Sequence, residues 1–197
     1  THKLKLTDGF FEKPVAEYYQ DLLPLIGLQK QVHALDFFLS EEDRRKCEAF
    51  CQKIGFRMDE PYIMIAPGGG ESWGKDAWLK QWPVSYFAAL LKKIKYGSKV
   101  NVKRVLIAGG SNEKSLAQEL EKELGGFSVW NICGQIPLRV SAFLIQNALF
   151  LLANDGGLVH VARALQTPIV AFYGPVDPVV YGPYPEDPLA LAISNDG

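Results

Sequence analysis

Two glycine-rich junctions in this 197-residue chain carry the residue types that meet phosphate. The first lies in PYIMIAPGGGESWGKDAWLKQWP, Pro61 to Pro83, where the apolar run Tyr62 to Ala66 ends in Pro67, Gly68, Gly69 and Gly70. A strand that ends in glycine lets backbone N–H groups approach an anion closely, and Lys75 and Lys80 follow with positive charge. The second is LLANDGGLVHVARAL, Leu151 to Leu165. There a strand ends at Asn154-Asp155, Gly156 and Gly157 follow, and a helix begins within a residue or two. Unpaired N–H groups and the positive helix end then face any anion at the junction. His160 falls on the first turn or just beyond, either facing the same mouth or packed elsewhere. Asp155 is open to two roles, helix cap and ligand contact, which do not exclude one another.

The first junction also resembles a Walker A loop when read from Gly69 as G-G-E-S-W-G-K-D, but the chemistry fails. A P-loop needs a Ser or Thr hydroxyl directly after its lysine to hold Mg²⁺, and Asp76 follows Lys75. The helix should continue from the lysine, whereas the helical pattern restarts at Trp82-Pro83 with proline in its favoured first-turn place. No apolar strand ends in a Walker B aspartate. The loop reads as a glycine turn that either binds a ligand or only reverses the chain.

The elements that must position these junctions alternate. Short β-rich runs appear at Tyr62–Ala66, Arg104–Gly110, Ser128–Cys133, Ala148–Asn154 and Pro168–Gly174. Between them WPVSYFAALLKKIK, SNEKSLAQELEKELGG, PLRVSAFLIQNA and GLVHVARALQ place apolar residues three and four apart. Runs of this kind read as strands buried on both faces, and strict alternation with helices implies right-handed crossovers and a parallel sheet. Such sheets bind ligands beyond the carboxyl ends of their strands. In this chain those ends read APGGG, AGGSNE, CGQ, ANDGG and YGP, so glycine and polar residues gather where a nucleotide would sit. Residues 1–60 differ, with helical patterns at Val15–Gly27 and Ser40–Gly55 around a short extended ALDFFLS. Ser40 is the expected cap of the second helix, with Asp43 in its first turn. These residues read as a connecting arm, and 61–197 as the sheet domain.

Hydrophobic content of 48% and charged content of 22% are those of a globular chain with a sizeable core. The net charge of −1, without a basic stripe, argues against nucleic acid as a partner. No apolar stretch reaches the roughly 20 residues of a membrane helix. No signal peptide opens the chain, and its start at a polar THKLKLTDG without methionine is that expected of a fragment. Cys47, Cys51 and Cys133 make an odd set, two of them one helical turn apart, which fits a reducing cytoplasm better than a disulfide framework. No matching Cys or His pair follows, so buried thiols are expected rather than a zinc site.

The segments PGGG…WLKQWPVSYFAALL, LIAGGSNEKSLAQEL, NICGQIPLRVSAFLIQNALFLLANDGGLVHVARAL and TPIVAFYGPVDP together resemble, in order and spacing, glycosyltransferase family 9, the ADP-heptose:lipopolysaccharide heptosyltransferase group. The resemblance covers roughly residues 60–185, and the preceding arm is similar to the family's interdomain region. It implies the GT-B architecture, in which two Rossmann-like domains face each other across a cleft. This chain resembles the second, donor-binding domain, an α/β Rossmann-like parallel sheet with helices on both faces, preceded by a helical arm. The first domain, with the acceptor surface and the aspartate taken as catalytic base, is the missing N-terminal partner. No catalytic base, cofactor or metal ligand is then expected in this chain. DP at Asp177-Pro178 and Asp187-Pro188 are turn dipeptides, and no DxD pair flanks the glycine loops.

By resemblance, Gly69 and Gly70 line the donor site and Lys80 contacts the donor phosphates, with Lys75 as a rival nearer the glycines. Glu113 matches an acidic residue that accepts hydrogen bonds from ribose hydroxyls, against the alternative of a solvated first-turn glutamate. Ile136 falls where the family packs the base. Asp155, Gly156, Gly157, Leu158 and His160 match the Asp-Ser/Thr-Gly-x-x-His segment that meets pyrophosphate and sugar. Gly156 departs from the usual Ser or Thr, Arg163 from a small residue and Gln166 from glycine. The implied partners are a nucleotide-diphosphate sugar and a glycan or glycolipid acceptor, the implied location the cytoplasm or the inner face of the inner membrane. The rival readings are a nucleotide-sugar epimerase of the same architecture and a binding domain that has lost transfer.

Overall fold

The computed structural model describes residues 11–31, 33–70, 72–97 and 102–194. The opening THKLKLTDG and Glu71 of the first glycine loop lie outside the described residues. Six parallel strands form one sheet in the order β3-β2-β1-β4-β5-β6. They are β1 (Ile63–Ala66), β2 (Arg104–Ile107), β3 (Ser128–Asn131), β4 (Leu151–Asn154), β5 (Ile169–Tyr173) and β6 (Ala190–Ser194). The first five lie inside the expected runs. β6 was not expected; it lies at the sheet edge with three of its five residues exposed.

Strands buried on both faces need covering on both, and the chain supplies it. Ile63, Ile65, Val105, Ile107 and Leu152 point to the face covered by α3 (Val84–Gly97) and α4 (Lys114–Glu123). Met64, Leu106, Leu151 and Ala153 point to the other, against α2 (Glu41–Lys53), α5 (Leu138–Gln146) and α6 (Gly157–Ala164). Successive strand residues feed opposite cores, as the two-residue period of an extended chain demands. The expected Rossmann-like parallel sheet with helices on both faces is the fold observed.

The amino-terminal arm divides in two. α1 (Val15–Gln20) buries no residue. α2 buries Cys47 and Cys51 in the same core as Tyr62 and Met64, so its packing belongs to the sheet domain although it precedes residue 61. Ser40 caps α2 as expected, accepting from the Asp43 N–H while the Asp43 carboxylate accepts from the Ser40 N–H. Arg139 at the start of α5 grips that carboxylate with two hydrogen bonds of 2.8 and 2.6 Å and holds its pKa well below the usual carboxylate range, with Ser40 adding to the effect. The ALDFFLS segment forms no strand. All three cysteines are buried free thiols, and burial pushes Cys133 up to about 12. Asp177 caps the four-residue α7 (Pro178–Tyr181), so this DP pair starts a helical turn rather than a plain reversal.

Candidate functional site

Strand order reverses between β1 and β4, and both glycine junctions leave the sheet there. This is the crevice position of doubly wound sheets. The two loops touch backbone to backbone. A Cβ on Gly69 would lie 2.9 Å from the Asp155 carbonyl oxygen, and a Cβ on Gly156 would lie 2.9 and 3.2 Å from the Gly69 O and Cα. Gly69 and Gly70 also take positive φ, 77° and 81°. The Gly156 departure therefore has a packing cause. A serine would reach toward phosphate only by displacing the first loop.

Asn154, the last residue of β4, clamps that loop. Its amide donates to the Pro67 carbonyl and its Oδ1 accepts from the Trp82 N–H at 3.0 Å. Gln81 adds a bond to the Gly68 carbonyl. Trp82 stacks on Phe172 with ring centroids 4.0 Å apart. Sequence reasoning treated Asn154 only as a strand end. A buried amide closing an otherwise apolar strand was the available signal.

Glu113 is buried, which removes the alternative of a solvated glutamate. A 3₁₀ turn, Ser111–Glu113, swings it back over the β1 and β2 tips. Its Oε1 accepts from the Gly70 N–H at 3.0 Å and its Oε2 from the Gly110 N–H at 2.6 Å. The carboxylate occupies the space that side chains on Gly68 and Gly109 would need. Cβ atoms there would lie 1.7 and 2.4 Å from its oxygens. Each oxygen keeps lone-pair capacity for a further donor.

Lys80 closes a 3₁₀ segment, Gly74–Lys80, which fills the gap between the first loop and α3. Lys80 is buried and its Nζ lies 2.6 Å from Asp155 Oδ2, with side chains 6% and 9% exposed. The ammonium also sits 5.7 Å from the Trp73 ring centroid. Asp155 is therefore an ion-pair partner and not the cap of α6, whose amino end has no side-chain cap at all. Lys75, the rival, is exposed and lines neither pocket described below. His160 reaches solvent at the rim, yet the protein around it lowers its pKa, with Asp155 opposing and Lys80 reinforcing that shift.

Two cavities meet at Gly156 and Gly157. One, of about 240 Å³, is walled by Gly69, Gly70, Gly110, Glu113, Ile136 and Leu158. The other, of about 400 Å³, is walled by Trp73, Lys80, Asp155, His160, Val176 and Tyr181. Between them lies the uncapped α6 amino end, a ready anion seat. A half-apolar slot with a carboxylate, an anion seat and a polar chamber beyond it suit a nucleoside, a diphosphate and an attached group in that order. All ten expected site residues line these two cavities, although Lys80 and Asp155 face one another. Ser141, which also lines the first cavity, and Trp73, Val176 and Tyr181 of the second were not anticipated. Among the described residues, no group of three or more His, Cys, Asp or Glu could hold a metal ion.

Fold and site together define a Rossmann-like α/β domain with its candidate site at the strand tips. Comparison narrows the class. The profile of glycosyltransferase family 9 (heptosyltransferase) matches residues 3–195, and the chain belongs to that family. It is 29% identical over 173 residues to lipopolysaccharide heptosyltransferase 2 of Salmonella typhimurium, covering 85% of this chain and 44% of that protein. It is 34% identical over 168 residues to lipooligosaccharide heptosyltransferase 2 of Haemophilus influenzae, covering 82% and 45%. A glycosyl transferase family 9 structure from Veillonella parvula superposes with a TM-score of 0.72 at 25% identity, covering 94% of this chain and 50% of that one. The chain thus spans about half the length of the relatives it matches.

Proposed function

We propose that this chain is the nucleotide-sugar-binding half of an inverting, metal-independent glycosyltransferase that moves a heptose, from ADP-heptose or a close relative, to a lipopolysaccharide-core or related glycan. The observation that carries the reading is the junction of the two cavities at Gly156 and Gly157, with the bare α6 amino end between them, the first glycine loop on one side and Lys80 on the other. Glu113 takes ribose hydroxyls and Ile136 packs the base. The diphosphate lies over Gly156 and Gly157, and the sugar sits toward Asp155 and His160. In the intact protein an acceptor hydroxyl, deprotonated by a base in the other half, attacks the anomeric carbon as the sugar–phosphate bond breaks. Backbone N–H groups and the Lys80 ammonium then offset the charge gathering on the departing diphosphate. Work of this kind belongs in the cytoplasm, at the inner face of the membrane that holds the acceptor. No helix among the described residues is long and apolar enough to cross a membrane.

No observation favours an epimerase, and Gly156, the residue that best suggested lost transfer, has its explanation in loop packing. A thermal-shift panel of ADP, UDP, GDP and CMP with their sugar conjugates tests the reading. ADP and its sugar conjugate are expected to raise the melting temperature most. Indifference to every nucleoside diphosphate refutes it.

A further inference from the structure

The strongest unexplained group near the site is Tyr173. It closes β5, is 3% exposed, and its hydroxyl has no hydrogen-bond partner among the described residues. Buried polar groups left in that condition are few in folded proteins and call for a reason. Sheet register says what lies beside it. Asn154 pairs with Phe172, and the Asp155 N–H donates to the Phe172 carbonyl at 2.9 Å. Asp155 follows the last residue of β4 and Tyr173 ends the neighbouring β5, strands about 4.8 Å apart, and Tyr173 shares the core face of Ala153, two residues before Asp155. Burial raises the phenol's pKa above its ordinary value and the Asp155 carboxylate raises it further.

Asp155 is itself buried and holds Lys80 at 2.6 Å. An ammonium committed to that carboxylate is half neutralised toward any ligand anion. Turning it to a diphosphate would strand a buried carboxylate, which is strongly unfavourable. We propose that Tyr173 is a positioning residue that resolves this conflict: when Lys80 turns from Asp155 toward the diphosphate, the Tyr173 hydroxyl becomes the donor to Asp155. A neutral O–H replaces a cation, so Asp155 stays hydrogen-bonded while the whole positive charge of Lys80 goes to the ligand. The inference rests on the donor-site reading above and adds the device that releases its cation.

The test compares wild type, Tyr173→Phe, Lys80→Met, the double variant and His160→Asn, each titrated with ADP by calorimetry and melted without ligand. Tyr173→Phe removes a hydroxyl that has no partner among the described residues, so its melting temperature is expected to hold or rise. Its affinity for ADP should fall about tenfold, the range expected for a hydrogen bond to a charged group. That loss should vanish in the Lys80→Met background. A fall in stability and affinity together marks a merely structural tyrosine and overturns the proposal. So does an unchanged ADP affinity in Tyr173→Phe while Lys80→Met weakens binding, or a loss in His160→Asn alone, which would make the imidazole the substitute donor. If wild type ignores ADP, or Lys80→Met binds as well as wild type, the donor-site reading itself fails and takes the proposal with it. Should Lys80→Met not fold, the opposed shifts in melting and affinity of Tyr173→Phe decide alone.

Discussion

Glu113→Gln separates two roles that the structure assigns to one carboxylate. In the free protein its two oxygens accept from Gly70 and Gly110, at 3.0 and 2.6 Å, and so tie the β1 loop to the β2 loop. A glutamine keeps one oxygen and turns an NH₂ group toward the other N–H. One charge-assisted bond is lost and two donors are set face to face, a cost of about 1.5–3 kcal/mol. For a chain of this size that lowers the melting temperature by about 3–12 °C. The ribose role adds a separate term. A ribose hydroxyl that donates to the carboxylate should make wild type prefer ADP over 2′-deoxy-ADP by about tenfold or more, or ~1.4 kcal/mol. Calorimetric titration of both nucleotides into both proteins closes the square. The expected outcome is a modest common loss from the loosened loops, with the ribose preference collapsing toward one in Glu113→Gln. If both nucleotides lose the same factor and the preference survives, Glu113 is a loop brace only and the ribose assignment is wrong. Gly68→Ala is an independent check, because its Cβ would fall 1.7 Å from Glu113 Oε1 and must evict the carboxylate.

Lys80→Ala should weaken ADP binding more than Lys75→Ala, and it should also destabilise the fold by about 1–3 kcal/mol, because buried Asp155 loses its ion pair and is left with at most a neutral donor; a calorimetric titration with the reverse order would move the phosphate role to Lys75. Gly156→Ser should weaken ADP binding and cost about 1–3 kcal/mol of stability, since its Cβ meets the Gly69 backbone at 2.9–3.2 Å; a serine variant that binds more tightly would mean that the first loop yields freely. Gln166 holds a φ of 57°, so Gln166→Gly should stabilise the protein by about 0.5–1 kcal/mol, read as a rise in chemical-denaturation midpoint, and a drop would contradict the strain. His160 has a lowered pKa, so below its ordinary 6.5 the unfolded chain takes up the proton more readily and stability falls as pH drops from there toward the folded value. His160→Asn should flatten that part of the stability–pH profile, and an unchanged slope would assign it to other groups.

How much of this was legible without coordinates follows the range of each interaction. The β-rich runs and the helical spacings between them are local patterns, and they named five of six strands, the parallel sheet and the crevice. β6 escaped although ALAIS is an apolar run, because its place at the sheet edge, with Leu191 and Ile193 exposed, comes from pairing with β5 and not from a buried local pattern. α2 was placed in an arm because nothing local shows that Cys47 and Cys51 pack beneath Tyr62. The departure at Gln166 was visible as a letter, while the left-handed backbone that makes glycine the usual residue there was not.

The sequence by itself determined the alternation, the placing of glycines at strand tips and the family resemblance, since each depends on residues a few positions apart. Tertiary structure alone decided which tips touch and which charges meet. Lys80 and Asp155 are paired, Asn154 clamps the Pro67 loop, and Gly156 is bare because Gly69 lies against it. Those pairings span most of the domain and arise where strand order reverses between β1 and β4, a geometry that exists only once the sheet has closed.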